Sequence, residues 1–296
     1  MKKYALIIIL VLSFLTQGCE GKSDSNDLSQ EVEKVEVETN TEKESTDAKA
    51  DEPTPTIEVP IPKDLVLPVT NNDTGKVLIQ TVSGSRSYPY NSYIITSIRG
   101  ESVVIDGTTM PKPEVVDIKP VALLQTHTHP DHSDFDYTNS YDVPKLMSQK
   151  GELQVGDYNI YTIPSSHSND TIDENGGNVI VVVEVDGLRI AHMGDIGQTK
   201  LTDDQLKSLG KIDIAFMQFE NSYSDMSLEN GKSFTMMEQL QPTIIIPTHY
   251  TDKALKVLEE EYGAINELYN ILEISKEDLP ENTRNVYRIL NTHKYK

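Results

Sequence analysis

The sequence predicts a mixed α/β domain in which two β-sheets pack together with helices outside. Two observations carry that expectation. Past residue 64, the first half is mostly short β-like runs and the second half alternates strands with helices. The stretch 65–296 is also long enough to bury one sizeable core.

The elements follow in order. Lys76–Val82, Tyr93–Ser97 and Ser102–Ile105 read as strands, with Arg99-Gly100 as the hairpin turn between the last two. Val121–Leu124 is a continuous apolar run, as in a strand buried on both faces, and it leads straight into a histidine-rich loop. Tyr158–Ile163 is strand-like up to Pro164. Val179–Val185 and Leu188–Ala191 flank Asp186-Gly187, a two-residue hairpin signal. Thr202 reads as a helix N-cap, with Asp203 and Asp204 in the first turn and Gly210 at the C-cap. Ile212–Phe219 is a further strand, Ser233–Leu240 a helix, and Thr243–Ile246 a strand ending at Pro247. Lys253–Tyr262 reads as an acidic helix.

The chain of 296 residues carries 26 basic and 47 acidic side chains, a net charge of −21. Phosphate backbones require a basic surface, so a nucleic-acid partner is excluded. The single Cys excludes an internal disulfide and any multi-cysteine metal site. Residues 1–18 read as a secretory signal: two lysines, then a twelve-residue apolar run from Tyr4 to Leu15, too short to span a bilayer. Leu15-Thr16-Gln17-Gly18-Cys19 resembles the bacterial lipobox, with Thr16 where Leu is commoner. That resemblance implies lipidation of Cys19 (palmitate and its kin) and a mature protein anchored to the membrane of the bacterial cell envelope, facing outside the cytoplasm. Residues 20–64 hold 14 acidic and 5 basic residues, no aromatic, and prolines at 53, 55, 60 and 62. Such a composition cannot offset its ordering entropy, so 19–64 reads as a disordered acidic linker and 65–296 as the folded domain.

The densest chemistry is Thr126-His127-Thr128-His129-Pro130-Asp131-His132. In an extended segment residues two apart point the same way, so His127 and His129 reach one ion together. Asp131 and His132 lie where the chain must turn and face a second. Imidazole with carboxylate suits zinc, and also iron or manganese.

This segment resembles the H-x-H-x-D-H signature of the metallo-β-lactamase-fold superfamily. Further segments resemble that family's other motifs: Ile163-Pro164-Ser165-Ser166-His167, Gly194-Asp195 and Pro247-Thr248-His249-Tyr250. Asn91-Ser92-Tyr93 and Ile105-Asp106 resemble its early strands. The resemblance implies a four-layer αβ/βα sandwich. It implies two divalent metal ions, zinc first: His127, His129 and His167 at one, Asp131, His132 and His249 at the other, with Asp195 shared. The segments His192-Met193-Gly194-Asp195 and Pro247-Thr248-His249-Tyr250 look most like the ascorbate-6-phosphate lactonase branch.

Two such ions would lower the pKa of a bridging water toward about 7, giving metal-assisted hydrolysis. A lactone or ester of a small molecule is the favoured substrate. A phosphodiester, or a non-catalytic metal-binding lipoprotein, is the alternative. Asp131 and His192 are the candidate catalytic residues beyond metal binding. Asp131 orients the nucleophile or takes its proton, while His192, which has no ligand slot, is expected buried behind the ligands. Asp106 is expected as a structural acceptor, Tyr223 and Tyr250 as core packing or cleft wall, and His293 on the surface.

Overall fold

Period-two runs of β-branched and aliphatic residues build two sheets that face each other across an apolar layer. The computed structural model describes residues 68–293 apart from Arg86, Tyr88, Pro89, Asn175 and Gly176. The predicted signal, Cys19 and the acidic linker lie outside the described residues.

The elements run β1 (Val77–Thr81), β2 (Tyr93–Thr96), β3 (Ser102–Ile105), β4 (Ala122–Gln125), α1 (Phe135–Asn139), β5 (Lys145–Met147), β6 (Glu152–Val155), β7 (Tyr158–Ser165), β8 (Asn178–Val185) and β9 (Leu188–His192). There follow α2 (Asp203–Leu209), β10 (Ile214–Gln218), α3 (Lys232–Leu240), β11 (Ile244–Thr248), α4 (Asp252–Tyr262), β12 (Asn266–Tyr269), β13 (Ile271–Ile274) and β14 (Asn285–Leu290). One sheet has the order β13-β1-β2-β3-β4-β5, the other β12-β14-β11-β10-β9-β8-β7-β6.

The alternation in β8 shows how the layers form. Val179, Val181, Val183 and Val185 point into the layer between the sheets, with Ile79, Ile95 and Phe216. Ile180 and Val182 point the other way, onto a second core that includes Leu209, Met236, Met237 and Leu258 from the three helices α2, α3 and α4. On the outer face of the first sheet, Ile94, Val104 and Leu123 pack with Met110, Ile118 and Tyr137. Helix, sheet, sheet, helix is the four-layer sandwich expected from the sequence.

Local signals behave as their chemistry dictates. Thr202 and Gln205 form a reciprocal capping box at the start of α2, which closes on Gly210. Asp186 and Gly187, both at positive φ, join Val185 to Leu188 as a two-residue hairpin.

Most boundaries shift by a residue or two, and two strands overrun an expected stop: β7 runs through Pro164 and β11 through Pro247. β6 pairs with β7 only over Tyr158–Tyr161, and β14 pairs with β11 only at Ile244 and Ile245. Each proline thus has one flank beyond any ladder, where a residue without an N–H is tolerated.

Candidate metal centre

β7 is antiparallel to β8 and β8 to β9, while β9, β10 and β11 are parallel, so β7, β9, β10 and β11 all end at one edge of the second sheet. The C-terminal end of β4 meets that edge, because Val179 N–H donates to the Thr126 carbonyl at 2.9 Å. Strand-end loops from both sheets therefore converge there, a usual place for ligands in α/β sheets.

The seven expected donors meet at that edge. His127, His129, His167 and Asp195 form one group and Asp131, His132, Asp195 and His249 another, the donor atoms within each lying within 4.8 Å of one another. Asp195 is divided between them. Its Oδ2 lies 3.6 Å from His127 Nε2 and 3.8 Å from His167 Nε2. Its Oδ1 lies 3.3 Å from both His132 Nε2 and His249 Nε2. Asp131 Oδ2 stands 3.6 Å from His132 Nε2 and 3.7 Å from His249 Nε2.

Proton bookkeeping shows which nitrogens face the centre. Asp106, fully buried, accepts the Thr126 N–H through Oδ1 at 2.7 Å and the Thr126 hydroxyl through Oδ2 at 2.7 Å. It also faces His132 Nδ1 at 2.8 Å, so that nitrogen carries the proton and His132 turns Nε2 inward. Thr126 has given its one hydroxyl proton to Asp106, so at His127 Nδ1, 3.0 Å away, the imidazole is the donor. His127 also turns Nε2 inward, and Asp106 is the structural acceptor the sequence suggested.

The electrostatics differ between the two rings. Burial lowers the pKa of His127 to about 3, leaving it a neutral donor. Burial also works against a charged His132, but the Asp106 carboxylate outweighs it and raises that group to about 10 in the metal-free chain. Asp195 is held far below the usual carboxylate range: burial opposes its charge, and the surrounding imidazoles, His132 first, more than reverse that. The residues fit metal ions. His127 Nε2, His167 Nε2 and Asp195 Oδ1 are buried without a hydrogen-bond partner, a costly arrangement unless an ion takes them up.

His192 lies outside both donor groups. It is buried at the end of β9, stacks on Phe216 with centroids 5.1 Å apart, and accepts the Gly194 N–H through Nδ1 at 3.1 Å. Gly194, at φ +59°, allows the turn that delivers Asp195: a Cβ there would lie 2.3 Å from Asn178 Oδ1. Asn178 Oδ1 in turn accepts the Asp195 N–H at 3.0 Å.

Sequence reasoning missed the amides. Asn221 Nδ2 donates to Asp195 Oδ2 at 2.7 Å, and Asn91 Nδ2 to the Asp131 carbonyl at 3.2 Å. Buried Gln198 accepts the Ser166 N–H, beside His167, and pairs reciprocally with Gln205. The one available signal was position just after a predicted strand, as for Asn221.

Tyr250 packs against the second core, its hydroxyl accepting from Arg288 Nε at 3.0 Å and its ring stacked on Tyr90. His293 corrects the surface expectation: it is buried, because Asn291 and Thr292 tie the chain after β14 back to Ser83 and Asn270.

A cavity of about 500 Å³ opens over the centre, lined by His129, Asp131, Asp195 and His249 together with Glu220, Asn221 and Tyr223. A larger groove of about 1150 Å³ lies at the opposite strand ends, by Asp213 and Thr243, and holds none of the donors. Its Lys276 is paired with Asp213 and its Arg284 with Glu238. The smaller cavity is the candidate site, because residues of both donor groups line it.

Comparison with known proteins places the fold. A candidate Zn-dependent hydrolase of the metallo-beta-lactamase superfamily from Thermotoga maritima superposes with TM-score 0.52 at 19% identity, covering 73% of this chain and 100% of its own. A candidate metal-dependent hydrolase from Parabacteroides distasonis gives 0.47 at 18%, covering 76% and 98%. A metallo hydrolase from the archaeon Ignicoccus hospitalis gives 0.46 at 15%, covering 64% and 93%. No curated protein matches the sequence. The family described as beta-lactamase superfamily domain matches residues 86–249, more than half of the chain, which therefore belongs to that superfamily and carries the metallo-β-lactamase fold.

Proposed function

We propose that the protein is a metal-dependent hydrolase of small molecules, acting on a lactone or ester through a dinuclear centre, with zinc the favoured metal. The observation that carries this reading is the division of Asp195, one oxygen toward each imidazole group. Bound there, two divalent ions would polarise the scissile carbonyl and supply a water nucleophile at neutral pH. Asp131, partly exposed and in the cavity wall, would bind through Oδ2 and use its other carboxylate oxygen to orient that water and take its proton. His192 is a positioning residue, holding the Gly194-Asp195 turn through its Nδ1.

The branch resembling ascorbate-6-phosphate lactonase is carried forward on its motifs alone. The envelope location is carried forward likewise: a lipid anchor on Cys19, with 19–64 as an acidic tether. Phosphodiester hydrolysis is the runner-up, and it has less support because the described cavity wall holds no Lys or Arg to receive a phosphate. The test is metal analysis of the purified protein with a screen of lactones, esters and phosphodiesters. A fully metallated protein that cleaves none of them would favour a non-catalytic, metal-binding lipoprotein.

A further inference from the structure

Resting on the dinuclear centre proposed above, we propose that Gln198 is a positioning residue of the first metal site. Its side-chain amide, oriented by Gln205, sets the spacing between the segments that carry His167 and Asp195.

The two segments touch through their backbones. Gly197 N–H donates to the Ser166 carbonyl at 2.8 Å, and a Cβ on Gly197 would lie 2.2 Å from the His167 carbonyl oxygen. A glycine is what lets the chains approach so closely. Gln198 completes the join. Its Oε1 accepts the Ser166 N–H at 3.1 Å, so Ser166 is held at both its carbonyl and its amide. Ser166 immediately precedes His167, and Gln198 stands three residues after Asp195. His167 Nε2 and Asp195 Oδ2 come to 3.8 Å, and both belong to the first donor group.

The Gln198 amide is held in one orientation. Its Oε1 also accepts from Gln205 Nε2 at 2.9 Å, and its Nε2 donates to Gln205 Oε1 at 3.1 Å and to the Lys200 carbonyl at 3.2 Å. Gln205 Nε2 donates further to the Pro164 carbonyl at 2.9 Å, and its Oε1 accepts the Thr202 N–H at 2.9 Å. Every side-chain N–H and every oxygen lone pair of both amides is thereby used. Turning either amide over would set oxygen against oxygen and N–H against N–H, and both side chains are buried, where such mismatches are costly. The pair thus hooks the first turn of α2 onto the end of β7 and onto the Asp195 segment together. His127 and His129 arrive from the other sheet, so this join governs the other half of the first site. Asp131, His132 and His249 of the second group are not among the partners of either glutamine.

The experiment titrates the metal-free full chain with Co²⁺, following visible absorption and using chelator competition for affinity. His167→Ala and His249→Ala identify the steps that belong to the first and second ions. Gln198→Met keeps the bulk and removes the amide. First-step affinity should fall about 10–100-fold with an altered absorption band, and the second step should move less. Gln205→Met leaves the Ser166 bond in place but frees the Gln198 amide to turn, so the first step should fall about tenfold. That variant carries the test if Gln198→Met does not fold. Gln80→Met is the control, because it too deletes a buried amide, one bonded both ways to the Val69 backbone. It should leave both steps unchanged. Wild-type first-step affinity in the Gln198 and Gln205 variants, equal losses in both steps, or an equal fall in Gln80→Met overturns the proposal and leaves the dinuclear reading standing. A wild-type chain that binds a single ion, weakened by Gln198→Met and not by Gln80→Met, supports the proposal and overturns the dinuclear reading. A wild-type chain that binds no ion overturns both.

Discussion

Asn221 donates Nδ2 to Oδ2 of Asp195 at 2.7 Å while its own Oδ1 receives the Tyr223 N–H at 3.1 Å. One amide thus ties the shared carboxylate to the backbone of the segment after β10. Asn221→Leu keeps similar bulk and removes both bonds. Metal affinity should fall about 10–100-fold, the usual cost of losing a partner behind a ligand. Chelator competition followed by metal analysis measures it, and wild-type affinity would refute the role.

Asp131→Ala should cost at least about 10²-fold in turnover, a general-base contribution, while losing proportionally less metal. His127, His129 and His167 hold one ion without Asp131, and His132, Asp195 and His249 remain for the other. Metal content and rate measured on one preparation separate the two effects. Equal proportional losses would reduce Asp131 to a ligand alone.

His192→Ala should lower activity by about 10–100-fold without removing a donor. The lost imidazole no longer receives the Gly194 N–H and no longer fills the space against Phe216. Full metal content with lowered kcat is the expected signature, and metal loss matching the rate loss would place His192 among the ligands.

Gly194→Ala should destabilise by more than about 1 kcal/mol, because the residue sits at positive φ. The new methyl would also press on Thr126 Cβ, 2.7 Å away. Denaturant melts check the stability, and a neutral result would mean that the turn relaxes freely.

Cys19→Ala should move the protein from the membrane fraction to the soluble one, and limited proteolysis should cut first within residues 20–64. Retention in the membrane fraction would defeat the lipid anchor, and a resistant fragment containing 31–52 would defeat the linker reading.

The donors were legible because each follows an apolar strand run, where a histidine or aspartate has no packing reason to be. His127 after β4, His167 after β7, Asp195 after β9 and His249 after β11 all carried that mark. The amides were not legible. Asn178, Gln198 and Asn221 acquire meaning through partners 17, 32 and 26 residues away, and a polar side chain has no periodicity that reveals such an approach. The C-terminal strands escaped because β12 and β13 have only four residues each and β12 and β14 lack strict alternation. β13 returns to the first sheet beside β1 through pairings nearly 200 residues apart, which no local pattern encodes.

The centre draws His127, His129, Asp131 and His132 from the loop after β4 of one sheet, and His167, Asp195 and His249 from strand ends of the other. Ions seated there would act as a clasp across the apolar layer. Separating the sheets would mean surrendering the ions, so occupancy shifts the folding equilibrium by mass action, about 2.7 kcal/mol at a hundredfold excess over Kd. Starved of metal, the protein would lose activity and also its resistance to heat and proteases, so its abundance would follow the supply of the ion it uses.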